Sequence, residues 1–353
     1  MQMSNQERQA FWDLLNSFDG KNPVEEKEKL TNSIKYPRYL YRFRTVSNSS
    51  LDALRSNKML FSRADYFDDP FDSFLHIDAD RVFGELNSLL TDKSRLEAVV
   101  RQLSTTLQLP YEPILQSMTS ADPEKTGIAS LAYLKQIREQ IQKEFHMVCF
   151  SEDGLNEVLW LKYAGNHSGF SLEYDIADDT AFLCGNEEKC SNCISKEHRF
   201  SLYPVFYSDT KYDATVFARA IATYNLTLQM SGEVQEKIMQ DLGPQLWERE
   251  KIALIKKRCH EHDTEWRALL TYAPSARPMV KWRPSSITLG LRCKEPERSL
   301  VIEMAKTAGI SQIYECYINN ADELDRRALI VENYRPELID FPRFFRLVLG
   351  GVI

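Results

Sequence analysis

Glu265-Trp266-Arg267, led into by Asp263, is the part of this sequence best supplied for chemistry. Two earlier segments complete a set. Tyr41-Arg42-Phe43-Arg44 places two guanidinium groups on one aromatic, strand-like run, and Cys149-Phe150-Ser151-Glu152 carries a hydroxyl at the end of another. Brought together, an arginine strand, a serine strand and a late glutamate strand could supply the groups that breaking a nucleotide's glycosidic bond requires. Guanidinium forks suit phosphate oxygens, and a carboxylate suits the cationic transition state of such a cleavage. A plainer account stands beside this one. In it Trp266 anchors a core, Glu265 and Arg267 are surface charges in cross-strand pairs, Arg42 and Arg44 lie on a solvated strand face, and Ser151 is a strand-end hydroxyl.

Other clusters compete for a role. Cys184, Cys190, Cys193 and His198 present three thiolates and an imidazole within a polar, loop-like stretch, a donor set suited to tetrahedral zinc. A closed shell of that kind implies a structural metal; the alternative is a cytosolic loop with incidental thiols. His260, His262 and Asp263 invite a metal-dependent hydrolase, although a lone His-x-His beside a helix end is more often a solvated turn. Asp68-Asp69-Pro70-Phe71-Asp72 reads as an Asp-capped turn with Phe67 and Phe71 plugging the core. No glycine-rich phosphate loop is present, since Gly290, Gly309 and the Gly350-Gly351 pair stand apart.

The elements that must position these residues read as short strands and helices. Strands are expected at Tyr39–Phe43, Met59–Ser62, His146–Ser151, Gly169–Tyr174, 199–208, 265–272 (half-buried, with Trp266 and Ala268 inward), Ile287–Leu291, Ile313–Tyr317 and Ala328–Val331. Ser49 or Ser50 caps a helix carrying Leu51 and Leu54, and Asn156 caps one through Trp160 and Tyr163. Residues 1–36 form a polar helical leader with a stripe of Phe11, Leu14, Leu15 and Phe18. Residues 37–353 form a single α+β domain with a helical insertion over 74–145, a Cys-rich loop over 182–200 and a helical segment over 213–258.

A chain of 353 residues buries a full core without disulfides. Its net charge of −7 argues against general nucleic-acid binding, although Lys256-Lys257-Arg258 forms a local basic patch at a helix end. No apolar run reaches membrane-spanning length, so no membrane partner is expected. Seven cysteines, an odd number, and an N-terminus without an apolar signal segment point to the cytoplasm.

Leu40–Arg44, Phe61-Ser62, Phe67–Asp72, Cys149–Glu152, Leu159-Trp160 with Tyr163-Ala164, His167–Phe170, Glu265–Arg267 and Ile287–Gly290 together resemble a bacterial family catalogued as domain of unknown function 2971. The resemblance spans about residues 39–292. More distantly, the order Arg42, Ser151, Glu265 is similar to the arginine–serine–glutamate pattern of ADP-ribosyltransferases. That resemblance implies a pair of small sheets around a cleft that holds NAD as substrate. It also implies an ADP-ribosyltransferase or NAD glycohydrolase, a toxin or defence effector acting on a macromolecular acceptor. Glu265 then serves the transition state, with Asp263 as a second acid. Arg42 or Arg44 meets pyrophosphate or ribose, Ser151 orients the ribose or Glu265, and Tyr41, Phe43, Trp160 and Tyr163 wall the nicotinamide. Two departures stand out: Glu152 follows Ser151 where Thr-Ser is usual, and residue 263 is Asp where some members carry Glu. The rival from another class is a non-catalytic binding module on the same fold, with 74–145 as its partner surface.

Overall fold

A computed structural model describes residues 2–183, 201–228, 232, 236, 245–270 and 278–330. Two helices come first, α1 (Asn5–Asn16) and α2 (Pro23–Ser33). The Ser4 side chain accepts from the Glu7 backbone while the Glu7 carboxylate accepts from the Ser4 N–H, which satisfies two orphan donors of the first turn. Phe11, Trp12 and Leu15 bury the apolar face of α1, with the Trp12 ring stacked on Phe206 at 4.9 Å.

Thirteen strands follow among the described residues: β1 (Tyr39–Arg44), β2 (Lys58–Leu60), β3 (Ser62–Arg63), β4 (His146–Ser151), β5 (Phe170–Asp175), β6 (Ser201–Pro204), β7 (Phe206–Ser208), β8 (Ile255–Lys257), β9 (Glu265–Leu269), β10 (Met279–Lys281), β11 (Ser286–Leu289), β12 (Gln312–Ile318) and β13 (Leu324–Ala328). Nine form one sheet in the order β13-β12-β11-β5-β1-β4-β9-β6, with β3 also paired to β4. β2 pairs with β10 and β7 with β8. The chain is α+β. Instead of two separate sheets, one hydrogen-bonded path runs through all nine strands, and it is pinched. β1 is in register with β5 from Tyr39 to Arg44, and β4 with β9 from Met147 to Ser151, yet β1 and β4 meet at a single pair, Tyr41 opposite Ser151. Beyond that pair the ladder stops, and the two halves leave a cleft between them.

Between β3 and β4 the chain forms α4 (Ala79–Thr91), α5 (Lys93–Leu107), α6 (Tyr111–Thr119) and α7 (Pro123–Gln142). Asp78, Asp92 and Asp122 cap three of these helices through side-chain acceptors. α3 (Asn48–Arg55) is capped by Ser47, earlier than expected, with Ser50 returning the bond. α8 (Glu157–Tyr163) is capped by Asn156. The segment read as helix over 213–258 contains α9 (Thr215–Thr227) and α10 (Glu248–Leu254), then turns into β8; α11 (Glu297–Thr307) lies beside the late strands.

The main core lies on the sheet face that carries Phe150, Tyr174 and Trp266. Phe150 meets Tyr174 edge-on at 5.6 Å, and Trp266 packs on Tyr36 at 5.6 Å. β9 is a central strand, paired with β4 and β6, and is buried on both faces, not one, since all five of its residues are covered. A central strand with charges at 265 and 267 must therefore supply partners for them internally.

Candidate functional site

The pinch in the sheet sets the geometry. Residues directly opposite across a ladder share a face, so Tyr41, Ser151 and Glu265 lie side by side on one face. Alternation puts Arg42 and Arg44 on the other. Because β1 and β4 part below Tyr41, both faces reach the gap. The resulting cavity, about 460 Å³, is lined by Arg42, Arg44, Ser151, Asp263 and Glu265, together with Lys256. Residues more than two hundred positions apart are thus brought to one cleft. A larger opening of about 1000 Å³ is lined, among the described residues, by one carboxylate, Asp178, and by none of this set.

The floor of the cleft is a buried charge cluster. Arg267, fully buried, grips Asp72 with two bonds of 2.7 and 2.6 Å and donates its Nε to Glu265 at 2.7 Å. Lys256 donates to the other Glu265 oxygen at 2.8 Å and to Asp263 at 2.9 Å. These cations outweigh desolvation and hold the Glu265 carboxyl well below the usual carboxylate range. With the histidines beside Asp263 counted as neutral, three carboxylates against two cations leave one negative charge in excess at the floor. The Cys149 thiol, opposite Arg267 on β4, is pushed far up by burial and then by Glu265, so it stays neutral. Glu265 and Arg267 are therefore not surface charges: their exposures are 4% and 0%.

The opposing wall carries the reverse charge. Arg42 is buried, its guanidinium stands 5.7 Å from the Phe150 ring centroid, and its Nε has no hydrogen-bond partner. Burial, then the neighbouring Arg44, pushes Arg42 down to about 9. Arg44 is lowered by burial as well, and among the described residues no carboxylate offsets either shift. A buried cation without an anion is costly, so Arg42, with the half-buried Arg44 beside it, marks a place that an anionic ligand would complete.

Ser151 makes the contacts of a strand-end hydroxyl. Its Oγ lies 3.0 Å from the Thr264 hydroxyl and accepts from the Asp153 N–H, with no bond to Glu265. Tyr41 lines the cleft and donates to Glu173 at 2.9 Å, its ring packed so closely on Gly154 that a Cβ there would lie 2.6 Å away. Phe43 lines the cleft beside it. Tyr163 reaches Asp68 at the rim, where Lys162 pairs with the same carboxylate at 2.7 Å. Trp160 does not face the cleft. It is fully buried, meets Phe43 edge-on at 5.3 Å and donates to the Gly154 carbonyl, which makes it a support for the wall.

Phe71 is 56% exposed and plugs nothing, whereas Asp72, in the same turn, anchors Arg267. The basic patch at 256–258 also divides. β8 alternation turns Lys256 inward to the carboxylates while Lys257 is exposed. Asp72 and Lys256 are thus two charged residues of the cleft floor that sequence reasoning passed over. The acidic turn and the strand alternation of 255–257 were the available signals. His260 approaches Asp69 at 3.4 Å and His262 approaches Asp263 at 3.2 Å, but among the described residues no three His, Cys, Asp or Glu side chains are grouped to hold a metal. Cys184, Cys190, Cys193 and His198 fall outside the described residues. No described helix is long and apolar enough to cross a membrane.

Stability should follow pH through Glu265. Its folded pKa lies below the ordinary 4.5, so its contribution is full above about 4.5 and is lost as pH falls toward the folded value. The melting-temperature gap between wild type and Glu265→Gln should therefore narrow between about pH 6 and pH 3. A gap independent of pH would contradict this assignment.

Residues 159–268 match a protein family of unknown function, DUF2971. That stretch is shorter than the expected 39–292; it begins within α8, takes in Asp263 and Glu265 and leaves out Arg42, Arg44 and Ser151. No curated protein matches the chain, and no solved structure matches it.

Proposed function

We propose that the cleft binds NAD and cleaves its nicotinamide–ribose bond, as an ADP-ribosyltransferase or an NAD glycohydrolase with ADP-ribosyltransferase-like architecture. The observation that carries the reading is the polarity of the cleft. Two arginines without anionic partners among the described residues stand on one wall, and a carboxylate cluster with excess negative charge forms the floor. A dinucleotide has matching polarity: a pyrophosphate for the arginines and, at the reacting carbon, a centre that becomes positive. The C1′–N bond breaks with both electrons leaving on the nicotinamide nitrogen. The ribose oxocarbenium is then captured by water or an acceptor nucleophile, which gives up its proton. Glu265 is held ionised at any neutral pH, as charge stabilisation requires.

A second reading has its own observation. Both Glu265 oxygens are already bound, to Arg267 and Lys256, as they would be in a purely structural cluster supporting a nucleotide-binding module. Binding and turnover separate the two. Arg42→Met should weaken NAD binding about 10- to 100-fold, the worth of a charge-assisted bond, as measured by calorimetric titration. The same variant should melt no lower than wild type, since it removes a buried unpaired cation. Undiminished NAD affinity in Arg42→Met would sink the assignment of this wall.

A further inference from the structure

The backbone of Glu265 is held from behind the sheet by a residue of the first helix. β6 ends in register at Pro204 opposite Trp266, so it offers Glu265 no ladder partner. Three groups complete that position. The Val205 N–H donates to the Glu265 carbonyl at 3.0 Å, the Tyr207 hydroxyl accepts the Glu265 N–H at 2.7 Å, and Arg8 Nη1 donates to the same carbonyl at 2.9 Å. Arg8 also donates to the Val205 carbonyl at 2.7 Å and lies 5.6 Å from the Tyr207 ring centroid. Its second nitrogen pairs with Glu152 at 2.8 Å, and only 2% of Arg8 is exposed.

Glu152 ties the second strand into the same clamp. It follows Ser151 and accepts from Arg8, from the Met3 N–H at 2.6 Å and from the Trp266 indole. One guanidinium therefore fixes the residue after Ser151 and the carbonyl of Glu265 together. A planar fork does this; a lysine ammonium reaches one such acceptor set, not both. The presence of Glu at 152 acquires a physical reason, as the anchor for a helix-borne arginine. We infer that Arg8 is a positioning residue for Glu265, which makes α1 part of the active site. The inference rests on the proposed NAD cleavage.

The test compares steady-state NAD cleavage by the full chain with Arg8→Met, Arg8→Lys and Leu15→Ala. Leu15 is a fully buried residue of the same helix that makes none of these bonds, so its truncation reports loss of helix packing alone. A misplaced catalytic group costs up to about 100-fold, so kcat should fall about 10- to 100-fold in Arg8→Met, and less in Arg8→Lys, with KM within about twofold. Leu15→Ala, assayed well below its melting temperature, should keep its kcat. Should Arg8→Met fail to fold, Arg8→Lys carries the comparison. Wild-type kcat in both Arg8 variants, or a kcat loss in Leu15→Ala proportional to its melting shift, overturns the inference while the NAD reading stands. Wild type without NAD turnover overturns both.

Discussion

Glu265→Gln is expected to slow NAD turnover sharply and, at the same time, to lower stability. The substitution keeps the shape of the side chain but removes the charge a cationic transition state needs, which costs about 10²–10³-fold in rate. Stability falls as well because Glu265 is not on the surface. Its carboxylate bridges Lys256 and Arg267 within a buried cluster, and a neutral amide leaves both cations short of an anion. Breaking a buried pair costs about 3–5 kcal/mol. The two effects separate when turnover is measured at a temperature where the near-UV circular dichroism of the variant equals that of wild type. Full activity there would remove Glu265 from the chemistry; unchanged melting would remove it from the cluster.

Arg267→Met should lower stability at least as far as Glu265→Gln does. Arg267 is fully buried and its removal leaves Asp72 and Glu265 desolvated with Lys256 alone to face them. The expected cost is about 3–5 kcal/mol, read as a lower denaturant midpoint. Adding Asp72→Leu should restore part of it, since replacing both members of a buried pair by apolar groups is far milder than removing one. A double variant no more stable than Arg267→Met would show that the pair contributes no coupling.

The outline of the fold was legible because its strands are short and well marked. Tyr39–Arg44, His146–Ser151 and Phe170–Asp175 alternate or run apolar between clear turns, and they pair as strands. The convergence of Arg42, Ser151 and Glu265 on one cavity followed from their place in that order. What escaped notice was burial of charge. β9 reads as a half-buried strand because Glu265 and Arg267 interrupt its apolar positions, and their covering depends on Asp72, 195 residues away, and on Lys256. Ion pairing over such a distance leaves no local trace. Trp160 failed in the opposite sense: an aromatic beside a site reads as a wall, yet packing on Phe43 turned it inward. Arg8 left no signal, since a basic residue on a capped polar helix reads as solvated.

Nicotinamide release from NAD by the full wild-type chain measures directly whether the polarised cleft breaks the nicotinamide–ribose bond. The expected result is nicotinamide formed in equal amount to ADP-ribose, free or transferred, with release about 10²–10³-fold slower in Glu265→Gln. NAD recovered intact from wild type, or release at the same rate in Glu265→Gln, would contradict it.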